Sequence, residues 1–350
     1  MIAARVRAQP FSTEALAMRN PTSASINHRL GLHAGDWVEI RSEAEILATL
    51  DEQGRLEGVP FMPEMLQFCG QKARVSKVAH KTCDTIKTYA NRRMPNAVHL
   101  DELRCSGAAH GGCQARCLLF WKEAWLRRAP ASLPTSQAEA ATLQSANGVA
   151  SNGTERLLRH TRKTDPESGA TTEFYSCQAT TLREATTPLH WYDPRQYLAD
   201  LWSGNISLSV FVKYVIYAMG RAVLRRLNHD LATRPGLARG ASPSEPLNLQ
   251  QGELVRVRSR QEIYQTIGAN RKNRGLWYDI EMEQFSGQVF PVLARVERLV
   301  DERTGKMIEL SRDCIMLQGA VCGGCLSTNR LFCPRAIYPY WREAWLERAQ

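Results

Sequence analysis

The sequence predicts an α+β protein in which one small module occurs twice, once near each end of the chain. Two observations predict this class: a long internal similarity, and short segments in which apolar and polar residues alternate beside a helical pattern. A third observation, ten cysteines in 350 residues, adds metal binding to the expectation. Because 43% of the residues are hydrophobic and 23% are charged, the chain has enough apolar material for globular cores.

The internal similarity stays in register for nearly a hundred residues. At a shift of 217 positions, residues 35–71 match residues 252–288 at 14 of 37 positions without a gap. The other equivalent positions are Cys105 with Cys322 at the same shift and, after three extra residues in the second copy, Cys113 with Cys333 and residues 121–129 with 341–349. Chance does not produce such a register, so we infer a duplication.

Two stretches rich in small, polar or helix-breaking residues divide the chain, and both are typical of linkers or loops. The predicted organisation is an N-terminal tail (1–32), module one (33–129), a linker (130–153), a helical middle segment (154–230), a second linker (231–250) and module two (251–350).

Within each module the residue pattern predicts short strands and a closing helix. Residues 37–41 and 254–258 alternate apolar and polar side chains, as half-buried strands do. Residues 301–306 are typical of the turn of a β-hairpin. Each copy ends in WKEAWL or WREAWL, where the spacing of Trp121 and Trp125 predicts a short amphipathic helix facing the core.

The opening Gly-Asp-x-Val, followed by short strands and a hairpin, is similar in architecture to a small SH3-like β-barrel. A more specific pattern is GVPFMPEM, FCG and LRC…HGGC…FWKEAWL in module one and FCPRAIYPYWREAWL in module two. It resembles a family of uncharacterised bacterial tandem-repeat, cysteine-rich proteins over nearly the whole chain, and implies no activity or substrate. We therefore expect two SH3-like β-barrel modules, each with a cysteine metal knuckle and a C-terminal Trp-rich helix, joined by the helical middle segment.

Module two carries four cysteines within twenty residues: Cys314, Cys322, Cys325 and Cys333. Cys322 and Cys325 form a C-x-x-C knuckle, whose two sulfurs can bind one tetrahedral ion. Four thiolates fit a closed structural zinc site. An iron–sulfur cluster uses the same ligands and is the alternative, and a redox-active pair or plain buried thiols are less favoured.

Module one offers a less regular ligand set, because Ala97 stands at the position equivalent to Cys314. The predicted ligands are Cys83, Cys105 and Cys113, with Cys117 and His110 competing for the fourth position and Cys117 favoured. Cys177 of the middle segment could complete this site, although a plain buried thiol is favoured. An open coordination position is what a catalytic metal requires, which is the basis of an enzyme hypothesis.

Residues 206–228 of the middle segment are strongly apolar and are predicted to be helical. Lys213 and Arg221 interrupt them, so the segment is a poor transmembrane span. We expect a buried helix that packs the two modules together. The alternative is a basic amphipathic helix on an anionic membrane, with Arg221, Arg225 and Arg226 meeting the lipid headgroups.

Several enzyme classes are disfavoured by the sequence, since it contains no phosphate-binding glycine loop, no H-E-x-x-H and no G-x-S-x-G. Glu64 and Glu281 recur at equivalent positions, but one carboxylate per module is not an acid–base pair. The net charge of +10 permits nucleic acid, an anionic membrane or an acidic partner. Clustered thiols and the absence of an apolar export signal favour the cytoplasm, with peripheral membrane contact as a variant.

The favoured function is therefore that of a non-catalytic, zinc-stabilised binding or scaffold protein that engages a partner protein. Two alternatives stay open. One is an enzyme or redox accessory protein with a metal or iron–sulfur centre in module one, and the other is a nucleic-acid-binding protein.

Overall fold

The computed structural model describes residues 29–130, 152–164, 173–227, 235–238 and 246–349. Most of the predicted tail and of the first linker, and part of the second linker, lie outside the described residues. The described part is α+β, with several small antiparallel sheets and few helices, in agreement with the predicted class.

Module one is built mainly of short strands. In chain order its elements are β1 (Trp37–Ile40), α1 (Glu43–Leu47), β2 (Arg55–Leu56), β3 (Val59–Pro60), a 3₁₀ helix (Pro63–Phe68), β4 (Lys72–Val78), β5 (Lys81–Cys83), β6 (Asn91–Arg93), β7 (Ala97–Leu100), β8 (Trp121–Lys122), a 3₁₀ turn (Glu123–Trp125) and β9 (Leu126–Arg128). Strands β8, β7, β4, β1 and β9 form its main sheet in that order. The side chains of Ser42 and Glu45 form a capping box that starts α1.

The middle segment adds α2 (Asn152–Thr161), β10 (Arg162–Thr164), β11 (Glu173–Tyr175), β12 (Thr187–Pro188), α3 (Arg195–Trp202) and α4 (Leu208–Arg226). Module two consists of β13 (Leu254–Val257), α5 (Arg260–Thr266), β14 (Lys272–Asn273), β15 (Leu276–Trp277), a 3₁₀ helix (Ile280–Phe285), β16 (Val289–Arg295), β17 (Arg298–Val300), β18 (Met307–Glu309), β19 (Ile315–Leu317), two 3₁₀ turns (Thr328–Arg330 and Glu343–Trp345) and β20 (Leu346–Arg348). Its main sheet has the order β19, β16, β13, β20.

The main sheets of the two modules pair their strands at the shifts that align the sequences. Trp37 lies opposite Arg74 in module one, and Leu254 lies opposite Pro291 in module two, 217 positions further on in both strands. The closing strands β9 and β20 pair with β1 and β13 in a corresponding register. The two modules therefore share one backbone arrangement in these strands.

The predicted barrels are not confirmed. Among the described residues neither main sheet closes on itself, because no strand pair links its two outer strands. Module one has an open sheet of five strands and module two an open sheet of four, with small hairpins beside them. The SH3-like likeness thus stops at a set of short antiparallel strands.

The predicted Trp-rich closing helices are wrong. Each closing segment is instead a short extended stretch, a 3₁₀ turn and a strand. Val98 pairs with Trp121, and Ile40 pairs with Leu126, so the segment is held in the sheet from both sides. A helix of six residues gains little from its own hydrogen bonds, and strand pairing therefore overrides the helical spacing.

Each module has its own apolar core around buried tryptophans. Phe61 packs edge-to-face against both Trp121 and Trp125 in module one, with ring centroids 6.2 and 5.2 Å away. The middle segment completes this core through Leu157, Cys177, Ala179, Leu182 and Ala185. The described part of the middle segment before α3 therefore packs on module one, and its strand β11 also contacts module two, where the N–H of Tyr175 donates to the carbonyl of Gly305 (2.8 Å).

A hairpin of each module also contacts the cysteine loop of the other module, which is residues 105–117 in module one and residues 322–333 in module two. Lys81 on β5 donates a hydrogen bond from Nζ to the carbonyl of Leu331 in module two (2.8 Å). Arg298 on β17, the residue equivalent to Lys81, donates to the carbonyl of Gly111 in module one (3.4 Å). Gly111 and Leu331 are themselves equivalent at a shift of 220. The contacts are reciprocal, as in an isologous interface between two subunits.

Helix α4 does not have the buried position that its composition predicts. One face packs on module two, where the ring of Phe211 stacks on Phe332 with centroids 5.9 Å apart. The opposite face is exposed, with Ile216 and Met219 more than half accessible. No helix in the described part of the chain has the length and apolar character needed to cross a bilayer.

Candidate metal centre

The loop after Cys105 folds back on itself because of its glycines. Gly107 and Gly112 both have positive φ, and the N–H of Gly112 donates to the carbonyl of Gly107 (2.9 Å). A Cβ at Gly107 would lie 1.9 Å from the carbonyl oxygen of Cys113, so only glycine fits there. This tight turn brings His110 back beside Cys105.

Three potential metal ligands converge at this loop: Glu64, Cys105 and His110, whose ligand atoms all lie within 4.8 Å of one another. The Sγ atom of Cys105 lies 3.1 Å from Glu64 Oε1 and 3.4 Å from His110 Nε2. His110 Nδ1 lies 3.5 Å from the Glu64 carboxylate. This is the only such group of three or more in the part of the chain that the structure describes, and it could hold a metal ion.

Two buried polar atoms of this group, Glu64 Oε2 and His110 Nδ1, lack hydrogen-bond partners among the described residues. Burial raises the pKa of the Cys105 thiol and lowers the pKa of the His110 imidazole. Buried polar atoms without partners are costly, and a cation between these donors would satisfy them. A thiolate, an imidazole and a carboxylate are all ligands that zinc accepts, so the donor set fits the metal.

Module two is built differently at the equivalent place. Glu281 accepts hydrogen bonds from the backbone N–H groups of residues 325–327 at 3.0, 2.8 and 2.6 Å. Burial raises the pKa of Glu281, and the guanidinium of Arg330, at the position of His110, opposes that rise. Arg330 also pairs with Asp279 through two contacts of 2.7 Å. Glu281 therefore has backbone N–H donors and a nearby guanidinium. Its counterpart Glu64 has neither among the described residues.

A cavity of about 30 Å³ adjoins Glu64, Cys105 and His110, which together are called the converged group. Its lining includes His110 and four thiols, those of Cys105, Cys113, Cys117 and Cys177. Two residues of module two, Val300 and Glu302, also line it. The space suits an ion or a water molecule, but it is an order of magnitude smaller than a usual pocket for an organic substrate.

The predicted ligands of module one divide into three places. Cys105 and His110 belong to the converged group, whereas Cys113 and Cys117 line the adjoining cavity. The Sγ atom of Cys113 accepts a hydrogen bond from the N–H of Val300 (3.3 Å). Cys83 lies elsewhere, because its hairpin contacts module two. Its pKa is lowered by a hydrogen bond from Cys333.

The four predicted ligands of module two form no such group among the described residues. Cys314 is buried in a small apolar cluster with Met316 and Tyr338. Cys333 instead forms a side-chain hydrogen bond with Cys83 of module one. Cys322 and Cys325 are half-buried at the loop that Glu281 holds. The four-thiol site therefore stays a prediction.

Glu64 is the candidate metal ligand that the sequence analysis missed. Its recurrence as Glu281 was visible, but carboxylates were weighed only as acid–base partners. Glu64 and Glu281 are equivalent at the same shift of 217 that aligns Cys105 with Cys322, and this shared shift was a signal that the carboxylate acts at the cysteine loop.

No protein-family model, curated protein or solved structure matches the chain.

Proposed function

We propose that the chain is a non-catalytic, metal-stabilised scaffold protein in which module one holds a zinc ion through Glu64, Cys105 and His110. The observation that carries the proposal is the convergence of these three donors, within 4.8 Å, at a buried place with two unsatisfied polar atoms. The contrast with Arg330, a fixed cation at the equivalent place in module two, supports the need for a cation here.

Zinc is favoured over an iron–sulfur cluster by the chemistry of the donors. Iron–sulfur clusters are held chiefly by four cysteine thiolates, whereas the converged group has one thiol, one imidazole and one carboxylate. Zinc accepts this mixture in tetrahedral sites. For the fourth ligand we propose Cys117, which lines the same cavity and acts electrostatically on Cys105.

A structural role is favoured over catalysis by the surroundings of the group. The adjoining cavity of about 30 Å³ leaves no room for an organic substrate. Module one, the middle segment and module two all contribute to its walls. An ion held here would stabilise the place where the three segments meet, and its binding free energy would add to the free energy of unfolding.

Metal analysis of the full chain, purified anaerobically, tests this proposal. We expect a colourless protein with zinc, and loss of that zinc in Cys105→Ser and in His110→Gln. Cys69→Ser is the matched control, because Cys69 is a half-buried thiol outside the converged group. Iron with visible absorbance, or zinc that both variants retain, would overturn the proposal. Zinc lost only in Cys322→Ser would favour the four-thiol site of module two.

A further inference from the structure

Helix α4 is firmly attached to module two by one face. Phe211 stacks on Phe332, and Tyr214 meets the same ring edge-on with centroids 6.5 Å apart. Arg221 is only 6% exposed and donates to the carbonyl of Leu326. The helix is therefore held at a defined orientation on the surface of the protein.

The outward face of the helix carries an uninterrupted apolar stripe. Its members, all between 46% and 66% exposed, are Leu208, Val212, Ile216, Met219, Val223 and, in the turn that follows, Leu227. Their spacing of three or four residues places them on one side of the helix, over a length of roughly 28 Å. Soluble monomers seldom expose a patch of this kind, so the stripe marks an interaction surface.

The charges around the stripe indicate what covers it. Helix α4 contains no acidic residue, while Lys213 and Arg226 are exposed beside the apolar face. A second copy of the same helix would bring these cations together with no carboxylate on either helix to pair them. Anionic lipid headgroups are complementary to them, and the net charge of +10 acts in the same direction.

Exposed aromatic side chains precede the helix in the chain, and they are of the types that favour a membrane interface. Trp202, six residues before the stripe, is 83% exposed. Trp191 and Tyr192 are 59% and 65% exposed in the turn before α3. Tryptophan and tyrosine favour the headgroup region of a bilayer, because one end of each ring system is apolar and the other is polar.

We infer that α4 is a docking surface for an anionic lipid bilayer, on which it lies in the plane of the headgroups with the stripe toward the acyl chains. Interfacial helices bind through buried apolar area together with attraction between basic side chains and anionic lipids. This inference names the partner of the proposed scaffold, but it does not depend on the metal ion.

Flotation of the full chain with lipid vesicles tests the inference. We expect binding to phosphatidylcholine vesicles that contain about 30% phosphatidylglycerol, weaker binding as salt rises, and little binding to phosphatidylcholine alone. Ile216→Glu should lower the bound fraction at least about tenfold, since it places a charge in the stripe. Leu237→Glu is the matched control, because Leu237 is equally exposed, at 64%, and the charge change is the same.

Each other outcome overturns the inference. Absence of binding to the anionic vesicles, equal binding to neutral ones, or an Ile216→Glu variant that binds like the unmodified chain would each do so. A dimer in light scattering that Ile216→Glu dissociates, without vesicle binding, would assign the stripe to a second copy instead. The zinc content of Ile216→Glu is measured in parallel, so that a loss of vesicle binding can be told apart from a loss of the metal ion.

Discussion

The ammonium group of Lys81 lies 2.6 Å from a carboxylate oxygen of Asp200, and both side chains are completely buried. Lys81 belongs to β5 of module one, and Asp200 belongs to α3 of the middle segment. The same ammonium donates to the carbonyl of Leu331 in module two (2.8 Å). One buried ion pair therefore joins three parts of the chain at a single point.

Removing the cation of this pair should be strongly destabilising. Lys81→Met would leave the Asp200 carboxylate buried, with Asn205 (3.2 Å) and His80 (3.4 Å) as its close side-chain partners in the described part of the chain. Lys77 would act on it electrostatically without an ion-pair contact. We expect the free energy of unfolding to fall by about 3–5 kcal/mol, because an uncompensated buried charge is costly. Urea denaturation of both single variants and of the double variant Lys81→Met/Asp200→Asn measures this loss, and the double variant should lose less than the sum.

The exposed pair formed by Arg127 and Glu39, 2.6 Å apart, is the control. Arg127→Ala should change the free energy of unfolding by less than about 1 kcal/mol, since both partners are partly solvated. A similarly small loss in Lys81→Met would show that the buried pair does not stabilise the contact between the modules.

The sequence predicted the strands better than it predicted their partners. The alternation at residues 37–41 and 254–258 located β1 and β13, and the turn at 301–306 located the β17–β18 hairpin. Cys83 was assigned to the ligands of its own module because it lies on the strand entering the hairpin, from which it could approach the position equivalent to Cys314. The exchanged hairpins place Cys83 beside Cys333 instead, and residue periodicity carries no information about such long-range contacts.

The candidate site was predictable in part. Cys105 was predicted as a ligand, and His110 was kept from its spacing as the less favoured choice, after Cys117, for the fourth position. In the structure the loop returns on itself and His110 lies beside Cys105. Glu64 lies on a 3₁₀ helix 41 positions earlier, so no local pattern connects it to them. Trp121 and Trp125 illustrate the same limit, since their helical spacing was overridden by pairing with distant strands.

The equivalent carboxylates Glu64 and Glu281 should respond differently to the same substitution. Glu64→Gln removes a proposed zinc ligand, so we expect zinc affinity to fall at least about tenfold, as measured by competition with a chromophoric chelator. Glu281→Gln should leave zinc affinity unchanged. It should lower the free energy of unfolding by about 1–3 kcal/mol, because Glu281 holds three backbone N–H groups through charge-assisted bonds. Equal zinc affinity in the two variants would contradict the assignment of Glu64.

Substitution of two glycines with nearly the same φ angle should separate the cost of backbone strain from the cost of a steric overlap. Gly70 and Gly107 have φ of 77° and 76°. Nothing lies within 4 Å of a Cβ placed at Gly70, so Gly70→Ala should cost only about 1–2 kcal/mol of backbone strain. Gly107→Ala should cost at least about 3 kcal/mol and should release zinc, because its Cβ would overlap the carbonyl oxygen of Cys113. Thermal unfolding and zinc content of both variants measure the difference, and equal losses would argue against the loop geometry.

His99 on β7 should make stability depend on pH. Its side chain is completely buried, and Nδ1 lies 2.9 Å from the carbonyl oxygen of Leu119. Burial lowers the pKa of His99 to about 4, whereas a histidine in the unfolded chain has a pKa of about 6.5. Between these values the unfolded chain binds a proton that the folded chain does not bind. Stability is therefore complete above pH 6.5 or so and is lost as the pH falls toward about 4.

The expected loss from His99 is about 3 kcal/mol across this window, by linkage of the two pKa values. His99→Gln removes the titrating group, so its free energy of unfolding should fall less steeply than that of the unmodified chain between pH 7 and pH 4.5 or so. Because other buried histidines titrate in both proteins, the quantity to compare is the difference between the two denaturation series. His33→Gln, at an exposed position, should run parallel to the unmodified chain. Parallel curves for His99→Gln as well would mean that His99 accepts a proton in the folded protein as readily as in the unfolded one.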